Sequence, residues 1–211
     1  MVTMLVTAAL GVVPGAASAM TRERARGVVR AVNLTQDDML GFDAVAGESA
    51  DELRKDEACL DLTPRRRALA LGESPFFNRT DAATFIGVQS VVTVMPNATM
   101  AAHDVRAFRT KRTRHCLLAV LRDVNDLSDF SASVTPVQPL TTGEGALRLT
   151  LTFTDHGVKT RVTSRYRLIA RGPVEILLAT TAGGQSFPLD RERALEQVLV
   201  SRAEQQLAPV R

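Results

Sequence analysis

Two cysteines, three histidines and two of the arginine-rich runs are the residues of this sequence whose types could carry chemistry. In RTKRTRHCLLAVL, residues 109–121, a basic run meets Cys116 with His115 beside it. Three chemistries fit: an anion-binding patch, a thiolate activated by neighbouring positive charge, or one end of a structural crosslink to Cys59. Adjacent helical residues point about 100° apart, so His115 is badly placed to act as the base for Cys116. In an exported protein the crosslink is the preferred reading, because an oxidising compartment pairs two cysteines in the single way that two allow. A cytosolic location would return the activated thiol to consideration.

The second run is Arg161, Arg165 and Arg167 in VKTRVTSRYRLIA. On a strand these three share one side, which faces outward if Val162 and Tyr166 point inward. Such a stripe could meet an anionic envelope polymer or a lipid headgroup. The competing reading is ordinary surface arginine, because 23 Arg against 3 Lys in an Ala- and Val-rich chain looks like the codon bias of a GC-rich genome. Nucleic acid is not an expected partner: aromatic residues make up only 4%, with one Tyr and no Trp, so stacking platforms are lacking.

His103, His115 and His156 stand at no metal-ligand spacing with one another or with a cysteine pair. Neither a metal nor a cofactor is expected. G-x-S-x-G, H-E-x-x-H, P-loop and glycine-rich dinucleotide motifs are absent from the sequence. Asp155-His156 falls in a hairpin turn, where polar residues are ordinary. The expectation is therefore a protein that is not an enzyme, with a secreted hydrolase lacking a recognisable motif as the alternative.

The compartment is argued from the N-terminus. MVTMLVTAALGVVPGAASA, residues 1–19, carries no charge, has an apolar run from Met4 to Val13, and ends with Ala17 and Ala19 placed as in an A-x-A cleavage site. The apolar run is shorter than the roughly twenty residues that span a bilayer. A cleaved signal peptide is expected, although no Lys or Arg precedes the run, which leaves open a longer signal or an uncleaved anchor. Residues 20–32, which include TRERARGVVR, read as a flexible basic lead-in. Residues 33–211 then form one domain, since the 45% hydrophobic and 23% charged composition is that of an ordinary globular chain.

The elements that position these residues follow from periodicity. Thr35-Gln36-Asp37-Asp38 and Ser49-Ala50-Asp51-Glu52 have capping-box spacing, and the second predicts a short helix from Ala50 to Cys59. IGVQSVVTVM, residues 86–95, is a strand that Pro96 stops. Asn97 caps a helix predicted to run to about Leu121, with Ala101, Val105 and Phe108 as its buried stripe. GALRLTLTFT alternates Leu147, Leu149, Leu151 and Phe153 with Arg148, Thr150, Thr152 and Thr154, a half-buried antiparallel strand. A turn at Asp155-His156-Gly157 leads to VKTRVTSRYRLIA, and Arg171-Gly172-Pro173 turns into VEILLATTA. FSASVTPV, residues 130–137, adds a fourth strand. A last helix runs from about Asp190, its cap, to Leu207 and packs through Leu195, Val198 and Leu199. The fold class is α+β: an antiparallel meander with helices packed on one face, and one disulfide.

With the elements laid out, the SPFF and VQSVVTVMPNAT stretches, the helix with its late Cys, and the YRLIARGPVEILLATTAGG hairpin resemble actinobacterial secreted sensor-type domains. The resemblance covers roughly Asn33 to Leu207. Domains of this kind are the extracellular domain of the mycobacterial kinase PknH and PsbP-like small lipoproteins of the LpqN type. It implies an antiparallel sheet with packed helices and a module that binds rather than catalyses. This sequence departs from the kinase form in having two cysteines where that domain has two disulfides, and no family residue carries over. The combined expectation is an exported, monomeric envelope module, peripheral to the membrane or free of it once the signal is removed.

Overall fold

The long antiparallel sheet rests on strands that carry apolar side chains on both faces, Ile169, Ile176 and Leu178 on one and Leu147, Leu168 and Leu177 on the other. The computed structural model describes residues 20–46, 60–81, 84–124, 131–140, 144–155 and 158–209, with side chains described to residue 119 in the third of these segments. Four helices and eight strands occur among them: α1 (Arg22–Val32), β1 (Asp43–Val45), β2 (Ala70–Glu73), β3 (Phe76–Asp81), β4 (Thr84–Val94), α2 (Ala98–Phe108), α3 (Lys111–Val124), β5 (Ser131–Pro136), β6 (Glu144–Asp155), β7 (Val158–Arg171), β8 (Val174–Gly183) and α4 (Leu189–Leu207). The strands make one antiparallel sheet in the order β1-β3-β4-β8-β7-β6-β5, with β2 also paired to β4. The predicted meander is β6–β7–β8, the predicted fourth strand is β5, and the predicted strand before Pro96 is β4.

Both faces of the sheet are covered in part, so the helices do not all lie on one face as expected. Alternation along the central strands explains the difference. Ile169, Ile176, Leu178, Val88 and Val92 point to one side, where α1 contributes Ala25, Val28, Val29 and Val32 and α4 contributes Leu195, Leu199 and Ala203. Leu147 and Leu168 point to the other side, with partly buried Tyr166 and Leu177, and meet Val105 and Phe108 of α2 and Leu117 of α3. A strand apolar on both faces needs two covers.

Residues 22–32 are helix, not a flexible lead-in. The arginines at 22, 24, 26 and 30 mask Ala25, Val28, Val29 and Val32, an i, i+3, i+4, i+7 stripe that is fully buried. Thr21 caps the helix by accepting from the Arg24 N–H at 3.2 Å. Gly72 of β2 lies so close beneath it that a Cβ there would stand 2.5 Å from Val29 Cγ1. The Thr35–Asp38 box forms as expected and opens a single 3₁₀ turn over Gln36–Met39. Arg202 of α4 then grips Asp38 through both terminal nitrogens, at 2.9 and 2.8 Å. Burial raises the Asp38 pKa, but the bonds from Arg202 and Thr35 outweigh it and hold the carboxyl below its usual value.

The single long helix predicted after Asn97 is two helices. Asn97 caps α2 as expected, accepting from the Met100 N–H at 3.0 Å. Thr110 and Thr113 break the ladder because their hydroxyls both donate to the Ala107 carbonyl, at 2.9 and 2.6 Å, and Thr110 Oγ1 accepts from the Thr113 N–H. The last helix begins one residue earlier than expected, with Pro188 at its cap position; Asp190 lies in the first turn and pairs with Arg193. The predicted helix 50–59, the residues of the signal segment, and Cys59, His156 and Gly157 lie outside the described residues.

Candidate functional site

Register brings the arginines of β6 and β7 together. Because β6 pairs with β7 from Asp155↔Val158 onward, Arg165 falls opposite Arg148, Thr163 opposite Thr150, Arg161 opposite Thr152 and Lys159 opposite Thr154. β5 adds Thr135 beside Arg148, Ser133 beside Thr150 and Ser131 beside Thr152. Directly opposed residues share a face, so three strands present one surface of hydroxyls and cations. It lies on the side that α1 and α4 cover elsewhere, next to the start of α4, and at this end of the sheet no helix packs over it among the described residues.

A groove of about 620 Å³ opens there. Arg148, Lys159, Arg161 and Arg165 line it together with Thr160, Thr163 and the Gly184–Gln185–Ser186 segment that leads into α4; none of these residues is acidic. Arg148, Lys159 and Arg161 are exposed and have no salt bridge among the described residues. Arg165 is half-buried and pairs with Glu192.

Arg167 does not belong to that outward surface, contrary to the expectation for all three arginines. It lies on the same side of β7 as Arg161 and Arg165, but α4 covers it, and it is 1% exposed. Its guanidinium bonds Glu192 and Glu144, two carboxylates that are themselves fully buried. Burial pulls the Arg167 pKa down, and the bonds and charges of the two glutamates more than reverse this. Glu144 also accepts from the Leu140 N–H at 2.7 Å, and Arg109 of the quoted basic run donates to the Glu144 carbonyl, its Nε at 2.7 Å. Arg109 is thus a structural tie and not part of a free anion patch. Val162 and Tyr166 do point away, as supposed, and Tyr166 packs under α2 and α3. The partners of Arg167 were hidden because Glu144 and Glu192 are 23 and 25 residues distant. Arg148 and its threonines carried a readable signal: once Asp155 pairs with Val158, Arg148 is set against Arg165.

Cys116 is buried at 3% on α3. The segment following Cys59 docks close by, since Thr113 Oγ1 donates to the Leu60 carbonyl at 3.4 Å, one turn before Cys116. His115 is exposed and lines a shallow apolar depression with Arg112, Cys116 and Ala119.

A second titratable cluster lies under α2. Asp104 accepts from the Thr63 N–H at 2.9 Å and from its hydroxyl at 2.7 Å, which ties the 60–64 segment to the helix. Burial, and then the charge and hydrogen bond of Asp104, push the Glu175 carboxyl up to about 9, so it is protonated at neutral pH and donates to Asp104. Both carboxyls are enclosed, 6% and 2% exposed. His103 Nδ1 stands 3.1 Å from Asp104 Oδ1 with half its side chain in water. This arrangement anchors the 60–64 segment to α2. No group of three metal-ligating residues gathers among the described residues, and no helix among them is long and apolar enough to cross a membrane.

No family model and no curated protein matches the chain. Among solved structures it is similar to the extracellular domain of PknH from Mycobacterium tuberculosis, at 8% identity and a TM-score of 0.46, over 89% of this chain and 98% of that one. It is also similar to LpqN, involved in cell envelope biogenesis of Mycobacterium tuberculosis, at 13% identity and a TM-score of 0.33, over 77% of this chain and 80% of that one. These are the two proteins that the sequence pattern resembles.

Proposed function

We propose that the chain is an exported, non-catalytic cell-envelope module that holds an anionic ligand on the cationic face of β5, β6 and β7. The observation that carries this reading is the groove itself: four cations and no carboxylate line it, and three of the cations lack any ion-pair partner among the described residues. Uncompensated like charge on one face is unfavourable for the empty protein and is relieved by a bound anion.

Export is supported by the signal-like residues 1–19 and by the cysteine pair. The contact of the Leu60 carbonyl with Thr113, one helical turn before Cys116, supports a Cys59–Cys116 bond. After removal of residues 1–19 the module is a monomer, peripheral to the membrane or free of it.

Two measurements test this together. Intact mass of the protein from its native culture is expected to begin at Met20 and to fall two hydrogens short of the reduced chain; a full-length, reduced species in the cell pellet overturns the compartment. Purified protein is expected to co-sediment with isolated envelope at low salt, to be released at high salt, and to lose retention when Arg148 and Arg161 are both changed to Gln. Retention unchanged by that double substitution removes the groove as the binding site.

A further inference from the structure

The shape of the cationic face says more about its ligand than its sign does. Arg148 and Arg165 form one end, as a directly opposed pair. Arg161 lies four residues further along β7 and Lys159 two beyond that, about 13 and 20 Å away at the rise of a strand. Between and beside them on β5, β6 and β7 stand hydroxyls: Thr163 and Thr150 in one row, Thr152 in the next, with Ser133 and Ser131 continuing those rows onto β5. With side chains standing roughly perpendicular to the sheet, the guanidinium groups of Arg165 and Arg161 stay too far apart to share one compact anion. Convergent donors that would enclose a single phosphate are not what the register builds; it builds a strip about 20 Å long and two strand spacings, roughly 10 Å, wide.

We infer that the strip binds a linear, hydroxylated polyanion laid along β7, with successive anionic groups on Arg165/Arg148, Arg161 and Lys159 and the intervening hydroxyls of the chain on the threonines and serines. This inference rests on the anion-binding reading of the groove and narrows it. Charge complementarity selects the polyanion. The hydroxyl rows suit a chain that itself offers hydroxyl donors and acceptors, since each serine and threonine both donates and accepts. A membrane surface is disfavoured: interfacial binding needs apolar side chains to enter the lipid, and the strip presents none. Carboxylated polysaccharide and polyol-phosphate chains share the required chemistry.

The test uses the mature chain and four probes: galacturonate monomer, oligogalacturonates of increasing length, poly(glycerol phosphate), and vesicles of phosphatidylglycerol. Affinity per molecule is expected to climb with oligomer length until the chain spans the strip and then to level off. The slope of log affinity against log salt should correspond to three to four ionic contacts. Arg161→Gln, at an exposed side chain without a salt bridge among the described residues, is expected to weaken the long oligomers about tenfold, to reduce the salt slope by about one, and to leave the shortest binders unchanged. Preference for the galacturonate or the phosphate series identifies which polymer chemistry the strip takes. Monomer binding as tightly as polymer, or Arg161→Gln affecting all lengths equally, overturns the polymer inference while leaving the anion-binding groove standing. Binding to the vesicles with none to either polymer overturns it in favour of a membrane surface. Failure of every anion to bind overturns the groove reading itself.

Discussion

Arg148 and Arg165 stand directly opposite each other on one face of the β6–β7 pair, two guanidinium groups in a position where cross-strand neighbours ordinarily have opposite or neutral character. Arg165 has Glu192 beside it, whereas Arg148 has no salt bridge among the described residues. The arrangement costs stability in the empty protein. Replacing Arg148 with Thr, which extends the hydroxyl row of β6, is therefore expected to stabilise the unliganded chain by roughly 0.2–1 kcal/mol while weakening anion binding. Urea midpoints measured with and without a polyanion check this. A variant that loses both stability and binding would show that Arg148 has a structural partner.

Arg167 offers the opposite case, a charge that holds the fold. Its substitution by Gln takes the buried cation from Glu144 and leaves Glu192 with Arg165 alone. Breaking a buried pair by removing one partner costs about 3–5 kcal/mol, so the melting temperature should fall sharply. Arg161→Gln is expected to leave it unchanged, because that side chain is exposed and unpaired among the described residues. Thermal scans of the two variants side by side separate the buried arginine from the surface one.

Glu175 gives the protein a pH dependence of defined sign. Its carboxyl is pushed up to about 9 in the fold against an ordinary value of 4.5. Between those limits the native state keeps a proton that the unfolded state has lost, so its contribution to stability is full below about 4.5 and declines as pH rises towards 9. The slope from one such group is at most about 1.4 kcal/mol per pH unit. Glu175→Gln mimics the protonated form without titrating and can still donate to Asp104. It should flatten the stability profile between pH 5 and 9 and be more stable than the parent at pH 8. Denaturant titrations across that range decide the matter; parallel profiles would show that another group sets the dependence.

A Cys59–Cys116 bond, as proposed, is expected to contribute up to roughly 4 kcal/mol by restricting the unfolded chain. Changing both cysteines to Ala should lower the melting temperature and leave anion affinity unaltered, since the groove lies over β6 and β7 and Cys116 lies on α3. Calorimetry with and without reductant on the parent chain provides the control. An unchanged melting temperature in both experiments removes the crosslink.

Much of the architecture was legible locally. The alternation of leucine and threonine in β6, the turns before β7 and β8, and the Asn97 cap each state their element within a dozen residues, because pleat and cap are short-range physics. α1 differs from the expected lead-in for a reason equally local: four arginines surround an apolar stripe at helical spacing that the pattern already contains. The division between α2 and α3 was harder to see, since it depends on Thr110 and Thr113 turning their hydroxyls back to one carbonyl.

The candidate face divides in the same way. Sequence alone determined that Arg161, Arg165 and Arg167 share one side of a strand, because a period of two fixes this wherever the strand lies. Tertiary structure decided that they differ in kind. α4 packs over Arg167 and brings Glu192 to it, while Glu144 approaches along β6, and desolvation makes that cluster a buried ionic tie. Beyond the start of α4, Arg161 and Arg165 remain in a groove with Arg148 and Lys159. Which arginine is buried and which is available to a ligand depends on where a helix some 25 residues away comes to rest on the sheet, and no local pattern encodes that contact.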